Sequence, residues 1–218
     1  MKLTTKQIRQ IIKEELTNLL EDYESASVLY IFDFDLTVAK TVTKIIATHP
    51  VSKEKLELVG QQAWDNFQTH PDRHLYKNFT DIDYSDLDEL KFDGTPKEAE
   101  ITSITKIMKE AHKDSNSQIV ILTARQPIVK NQIKSYLSKI VGIDLEDEYI
   151  ECMSGKPKGP FVYKIIEQYP NINSVSFYDD SGKNINSVKE ALEAATDNYM
   201  IDNYELFLVN EDGTIKQG

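Results

Sequence analysis

The pattern of hydrophobic and polar positions begins with an amphipathic helix. Over residues 3 to 23, apolar side chains recur at three- and four-residue steps, and charged side chains occupy the other faces. Thr4 or Thr5 can cap this helix. The apolar residues of this helix form one stripe, which consists of Ile8, Ile11, Ile12, Leu16, Leu19 and Tyr23. The stripe predicts packing against the rest of the domain or against a second copy of the chain.

From residue 28 onwards, short apolar runs alternate with segments of helical period. The strands are predicted over residues 28–33, 118–125, 148–154, 174–180 and 205–210, and the helices over residues 97–112, 127–140, 160–169 and 187–195. Strands that alternate with helices predict parallel pairing, right-handed crossovers and helices on both faces of the sheet. The expected fold is therefore an α/β three-layer sandwich with a mostly parallel central sheet.

Residues 40 to 95 interrupt this alternation without a strong period of their own. A helix is predicted over residues 53–67, and an acidic run follows at residues 81–90. This stretch is interpreted as a small inserted cap. The predicted organisation is an N-terminal helix over residues 1–24 and a main domain over residues 25–218.

Composition and charge narrow the classes of protein. The 218 residues are 40% hydrophobic and 28% charged, which is typical of a soluble globular chain, and no stretch approaches the roughly 20 apolar residues of a membrane span. The formal net charge of −11 argues against non-specific binding to nucleic acid or to an anionic membrane. A single cysteine, Cys152, excludes an internal disulfide, and with no apolar signal core at the N-terminus it predicts a cytoplasmic location.

Polar side chains end three of the predicted strands. Asp33 and Asp35 follow the first strand, Thr123 lies at the end of the second, and Asp179 and Asp180 end the fourth. Ligands in parallel α/β sheets bind beyond the carboxyl ends of the strands, so these groups are expected to converge. Clustered carboxylates need a cation to stay ionised, and oxygen ligands suit Mg²⁺. The alternative is a set of solvated loop acids and helix caps.

Four motifs in register carry a family resemblance. "DFDLT" matches the Asp-x-Asp-x-Thr signature of the haloacid dehalogenase-like phosphohydrolases, "VILTAR" their second motif, a lysine near a helix start the third, and "VSFYDDSGKNI" the fourth. The chain resembles this superfamily over residues 28 to 209, and in particular its phage-type and nucleic-acid-repair-like members. The resemblance implies a Rossmann-like sheet, Mg²⁺ dependence and a phosphomonoesterase that forms an aspartyl phosphate.

The resemblance also implies roles for the acids. Asp33 would be the nucleophile, and Asp35 would protonate the leaving oxygen and then deprotonate the attacking water. Family members bind Mg²⁺ through the backbone carbonyl at the position of Asp35. Asp180 would be a second direct ligand with Asp179 close by, so the predicted metal set is Asp33, Asp35, Asp179 and Asp180.

The remaining motif residues are expected to contact the substrate or to support the site. Thr123 would donate to the phosphoryl group, Thr37 would brace the substrate-binding loop, and Asn184 would orient Asp180 or a metal-bound water. The role of Arg125 has two interpretations. It would grip a substrate phosphate, as an arginine after the second motif does in phage-type polynucleotide kinases, or it would pair with the acidic insert.

Three lysines compete for the third motif. Lys156 resembles the Lys-Pro form that is common in the superfamily, and Lys164 resembles an aromatic-Lys form. We favour Lys164 as the catalytic lysine, because it would stand one turn into a helix on the side of the crevice. Lys158 is then assigned to substrate binding.

The insert supplies side chains with two readings each. A basic cluster would contact the substrate or be a bystander, and aromatic rings would stack on a base or pack within the insert. The basic residues are His70, Arg73 and His74, and the aromatic residues are Trp64, Phe67 and Tyr76.

The leading hypothesis is a Mg²⁺-dependent phosphomonoesterase acting on nucleotides or polynucleotide ends. A small-metabolite phosphatase, a binding module that uses the acids only to hold a cation, and a non-catalytic, packaged phage virion protein are the alternatives. The N-terminal segment resembles leaders of phage head proteins, which are removed after an Ile/Leu-x-Glu triplet, and Ile12 to Glu14 has this form. The expected location is then a bacterial host cytoplasm or a virion.

Overall fold

The centre of the fold is a six-stranded sheet in which five strands run parallel. The computed structural model describes residues 26–59, 63, 66–77 and 80–217. The strands of this sheet are β1 (Val28–Phe32), β5 (Ser117–Thr123), β6 (Ile150–Cys152), β7 (Ser174–Asp179), β8 (Asn203–Val209) and the antiparallel β9 (Ile215–Gln217). Their order is β6-β5-β1-β7-β8-β9, which confirms the predicted α/β class with a mostly parallel sheet. The five strands predicted from the sequence are all present.

The position of β1 between β5 and β7 determines where the polar strand ends meet. Phe32 lies opposite Ile121 on β5 and Tyr178 on β7, and the amide of Asp33 donates to the carbonyl of Tyr178 at 2.9 Å. The residues that follow these three positions therefore emerge at the same edge of the sheet.

Within the described part of the chain, four helices cover the two faces of the sheet. They are α1 (Thr102–Lys113), α2 (Lys130–Tyr136), α3 (Gly159–Gln168) and α4 (Gly182–Asp197). Apolar residues of α1 and α2 pack with Phe32 and Ile121 on one face, and those of α3 and α4 pack with Ile31 and Phe177 on the other. Side chains alternate between the two faces along each strand, so the three layers follow from strand geometry.

Three helices differ clearly from their predicted bounds, and one of them, α4, begins at Gly182 instead of residue 187. The first helix begins at Thr102 instead of residue 97, because the amides of Ala99 and Glu100 bond in a turn to the carbonyls of Thr95 and Lys97. α2 follows a 3₁₀ turn at Pro127–Val129 and continues as a π-helical turn over Leu137–Val141.

The insert forms a small antiparallel sheet of its own. Its strands are β2 (Lys44–Thr48), β3 (Lys55–Val59) and β4 (Ile82–Asp83), in the order β3-β2-β4, with a separate apolar cluster of Ile45, Ala47, Leu58, Phe67 and Ile82. The helix predicted over residues 53–67 is wrong in its first half, since "KLELV" is a strand. Its alternation of polar and apolar residues has the two-residue period of a strand, and five residues are too few to establish a helical period.

Other predictions fall on residues whose structure is not described. The N-terminal helix over residues 1–24, its leader triplet and Trp64 lie outside the described residues. Among the helices of residues 26–59, 63, 66–77 and 80–217, none combines the length and the apolar character that crossing a bilayer requires.

The first residue of α3 packs directly against α4. A Cβ atom at Gly159 would lie 2.2 Å from the backbone oxygen of Ser187 and 2.8 Å from its Oγ. We expect Gly159→Ala to reduce the free energy of unfolding by about 1–3 kcal/mol, because a backbone oxygen cannot move aside without shifting a helix. Denaturant unfolding measures this loss.

The matched control is Gly182→Ala at the first residue of α4. A Cβ atom there meets nothing within 4 Å, so this variant should be as stable as the natural chain. Equal stability of the two variants would show that the contact between α3 and α4 is looser than the distances from Gly159 to Ser187 indicate.

Candidate functional site

Three carboxylates meet at the carboxyl end of the central strands. Asp33 follows β1, Asp179 ends β7 and Asp180 is the next residue, and each offers an oxygen within 4.8 Å of the others. Asp33 and Asp179 are buried, while Asp180 is half-buried. The sequence predicted that these acids converge, and the structure brings them together. Such a group of oxygen ligands could hold a metal ion.

A buried lysine joins two of these acids. Lys158 is 2% exposed, and its Nζ donates to Asp33 Oδ1 and, at 2.7 Å, to Asp179 Oδ2. It directly precedes α3 and lies four and eight residues before the buried Val162 and Ile166. Residues at this spacing share one face of a helix, so the face that packs on the sheet also carries Lys158 into the acidic cluster.

The prediction that Lys164 stands on the side of the crevice is therefore wrong, and Lys158 occupies that place. Lys164 is exposed and lines a different surface pocket beside Glu148 and Glu151. Its neighbour in the chain, Ile165, takes the buried face. The stripe of Lys158, Val162 and Ile166 was a signal in the sequence that could have identified the lysine that contacts the acidic cluster. Lys156 is also exposed.

The carboxylate of Asp179 is held by several donors. The amide of Ser181 donates to Oδ1 at 2.8 Å, and Asn184 Nδ2 lies 3.0 Å from Oδ1 and 3.2 Å from Oδ2. Asn184 was expected to orient Asp180 or a water and instead fixes Asp179. Because Asp179 is fully buried while Asp33 and Asp180 line a cavity, these two are the members of the three-acid cluster that a bound ligand can reach.

Asp35 faces a different set of partners. It accepts from Arg125 Nε at 2.8 Å through Oδ1 and at 3.1 Å through Oδ2, from Thr41 Oγ1 at 2.6 Å and from Thr123 Oγ1 at 3.2 Å. Its carboxylate is not part of the three-acid cluster. A metal contact through the carbonyl of Asp35 remains a prediction.

Arg125 connects the insert to the core. It is fully buried, and its Nη1 donates to the carbonyl of Glu89 at 2.7 Å and contacts that of Leu87 at 3.5 Å, while Nη2 donates to Thr43 Oγ1 at 2.9 Å. The arginine does contact the insert, but through backbone carbonyls and a hydroxyl, and its ion pair is with Asp35. Backbone acceptors carry no side-chain signal, so the sequence could not reveal this contact.

Both predicted threonines are buried away from the cavity. The hydroxyl of Thr123 is used toward Asp35, so its expected donation to a phosphoryl group remains a prediction. Thr37 is fully buried, and its hydroxyl has no hydrogen-bond partner among the described residues. Thr37 does not line the cavity, and its role in bracing the substrate-binding loop stays a prediction.

A cavity of about 390 Å³ separates the sheet edge from the insert. Core residues, including Asp33, Asp35 and Asp180, form its floor. The insert contributes the other wall, with Thr41, Thr43, Ile45, Leu58, Gln68, Arg73, Tyr84 and Leu87. The volume is in the range of pockets that bind small molecules.

Burial and mutual repulsion shape the charges at the floor. Burial raises the pKa of Asp33 to about 8, against the attraction of Lys158 and with added repulsion from Asp179 and Asp35. Burial, followed by repulsion from Asp33, raises the pKa of Asp180 well above its usual value. Burial opposes the charged form of Lys158, but its attraction to Asp179 and Asp33 prevails and raises its pKa. One lysine cannot balance three acids, so this arrangement favours an added cation.

Comparisons of the chain with protein-family models, with curated proteins and with solved structures found no match in any of the three. The arrangement of the chain's own side chains is therefore what indicates its function.

Proposed function

We propose that the protein is a Mg²⁺-dependent phosphomonoesterase of the haloacid dehalogenase-like type, built on a Rossmann-like sandwich. The observation that supports this most strongly is the meeting of Asp33, Asp179, Asp180 and Lys158 at the end of the central strand. A purely structural cluster would not need three acids beside a cavity, because burying unpaired carboxylates is costly.

The donor set fits Mg²⁺. Asp33 and Asp180 face the cavity and would bind the ion directly, while Asp179 is already occupied by Lys158, Asn184 and the amide of Ser181. Mg²⁺ usually takes one or two protein carboxylates and completes its shell with water and phosphate oxygens. When bound, it would neutralise charge on the phosphoryl oxygens.

Asp33 would act as the nucleophile. Its carboxylate oxygen forms a bond to phosphorus while the bond from phosphorus to the leaving oxygen breaks. Asp35, once protonated and released from its ion pair with Arg125, would give its proton to that oxygen. Water then attacks phosphorus, Asp35 takes the proton of the water, and the bond to Asp33 breaks to release phosphate. Lys158 holds the Asp33 carboxylate in place and stabilises its negative charge.

Hydrolysis of a generic aryl phosphate tests this proposal directly. The full chain should release phosphate in the presence of Mg²⁺ and stop after chelation, and added Mg²⁺ should restore the rate. Turnover that survives chelation would contradict the metal requirement. If no phosphomonoester in a broad panel is hydrolysed, the proposed activity is wrong.

Metal binding is expected to depend on pH. Because the pKa of Asp33 is raised, this group stabilises the metal-free fold below its unfolded-state pKa of about 3.9, and that contribution is lost as the pH rises to about 8. Mg²⁺ binds the ionised carboxylates, so its apparent affinity should rise by up to about tenfold per pH unit for each proton released.

Thermal unfolding at one fixed Mg²⁺ concentration measures this linkage. The increase in Tm caused by Mg²⁺ should be larger near pH 8 than near pH 6. Asp180→Asn should remove most of the increase at both values. An increase in Tm that is equal at both pH values would show that the cluster is already ionised without the metal.

A further inference from the structure

The cavity is closed on the side opposite the acids by the insert. The guanidinium of the fully buried Arg125 bonds the insert residues Thr43, Leu87 and Glu89 to the core. A phosphate that reaches Asp33 therefore shares a space of about 390 Å³ with the insert wall. This volume suits a compact molecule.

A polynucleotide end needs a different surface. Grooves for single strands carry several positive charges along the path of the backbone, together with exposed aromatic platforms. Here the chain has a net charge of −11, and the cavity floor carries Asp33, Asp35 and Asp180. Phe67 packs inside the apolar cluster of the insert, with Tyr76 against it, which supports the packing interpretation of both rings.

The insert wall has two chemical parts. Its apolar part consists of Ile45, Leu58 and Leu87, with Tyr84 beside them. Its charged part is Arg73, whose Nε donates to Gln68 Oε1 at 3.2 Å, whose Nη1 donates to the carbonyl of Tyr76 at 3.0 Å, and whose guanidinium lies 5.4 Å from the centre of the Phe67 ring.

These contacts orient the guanidinium of Arg73 while it lines the cavity. An arginine held in this way is pre-organised to bind a planar anion, because little side-chain freedom remains to be lost. His70 and His74, the other members of the basic cluster, do not line the cavity. The contact interpretation of the cluster therefore applies to Arg73.

We propose that the substrate is a compact phosphomonoester whose leaving group combines an apolar or planar body with an anionic group, such as a carboxylate, and that Arg73 binds this anion. The inference rests on the proposed phosphatase activity and assigns its substrate class. Ile45, Leu58, Tyr84 and Leu87 contact the body of the leaving group, while Asp33 faces the phosphate.

Two matched aryl esters test the proposal with the full chain. Phenyl phosphate and 4-carboxyphenyl phosphate differ by one carboxylate. The natural chain should prefer the carboxylated ester in kcat/KM by about 10- to 100-fold, mainly through KM, which is the effect of one charge-assisted hydrogen bond. Arg73→Gln should reduce this preference close to unity, and the ratio of the two esters cancels any general loss of activity.

Control variants separate recognition from damage to the insert. Lys55→Gln removes the same charge from the insert at a residue outside the cavity and should keep the full preference. Arg73→Lys keeps the positive charge and should keep part of the preference. This variant therefore tests the role of the charge even where Arg73→Gln disturbs the folding of the insert. An unchanged preference in Arg73→Gln would overturn the assignment.

Failure of the substrate class is distinguishable from failure of the activity. If the natural chain hydrolyses both esters with equal kcat/KM, or an oligonucleotide 3′-phosphate as efficiently as the carboxylated ester, the substrate class is wrong and the phosphatase stands. If neither ester is hydrolysed, the phosphatase proposal fails. The affinities of the two esters, measured by calorimetry, then decide the role of Arg73. Equal affinities in the natural chain would overturn this role, and tighter binding of the carboxylated ester that is lost in Arg73→Gln would support it.

Discussion

Asp33→Asn is expected to lower kcat/KM for an aryl phosphate by at least about 10⁴-fold, as the loss of a covalent nucleophile does in other hydrolases. Asparagine keeps the shape of the side chain but cannot form the acyl phosphate. Asp93→Asn, an exposed acid outside the cavity, is the matched control and should keep natural turnover.

Stability distinguishes lost chemistry from lost structure in this variant. Burial raises the pKa of Asp33, so a neutral residue at this position should leave the metal-free Tm unchanged or increase it near pH 8. Mass spectrometry of acid-quenched natural protein should also detect a phosphoryl group on the peptide that contains Asp33. Natural turnover in Asp33→Asn would exclude the nucleophilic role.

Lys158→Met is expected to have the largest effect on stability, a loss of about 3–5 kcal/mol in the free energy of unfolding near pH 8. The substitution leaves Asp33 and Asp179 buried without their common counterion. Lys164→Met is a close control, because this exposed lysine on the same helix should be replaceable without loss. Urea unfolding of the two variants measures the difference.

The pH dependence of this loss has a defined sign. Lys158 is charged in both folded and unfolded chains at neutral pH, so the change comes from the acids it leaves behind. The pKa of Asp33, which burial already raises, should rise further in Lys158→Met, and protonation of Asp33 relieves its repulsion with Asp179 as the pH falls. The loss should therefore shrink from pH 8, which is close to the raised pKa of Asp33, toward pH 5, which lies well below it. Equal losses in Lys158→Met and Lys164→Met would show that Lys158 is not the buried counterion.

The acidic cluster could be predicted because parallel strands carry their carboxyl ends to one edge. An apolar run that ends in Asp33 and another that ends in Asp179 and Asp180 are enough to predict convergence without any knowledge of the loops. The prediction did not need the exact strand order. The same reasoning placed Thr123 near Asp35, although the observed contact is between their own side chains.

The lysine of the acidic cluster and the strands of the insert were harder to predict, for separate reasons. A shift of one residue in helix phase changes the direction of a side chain by about 100°, so choosing Lys164 over Lys158 followed from reading the helix face incorrectly. In the insert, β3 is a strand of five residues that pairs with β2 in a local antiparallel hairpin, and so short a segment does not establish a period of its own. Leu36 adopts a left-handed φ of 57°, which no local preference of leucine would predict.

The double attachment of Arg125 limits how the insert can be exchanged. One guanidinium joins Asp35 to acceptors at Thr43, Leu87 and Glu89. A chimera with a foreign insert would therefore leave buried donors of Arg125 without partners, unless equivalent acceptors are transferred with the insert. Redesign of substrate preference is thus more tractable by point changes on the cavity wall than by swapping the whole segment.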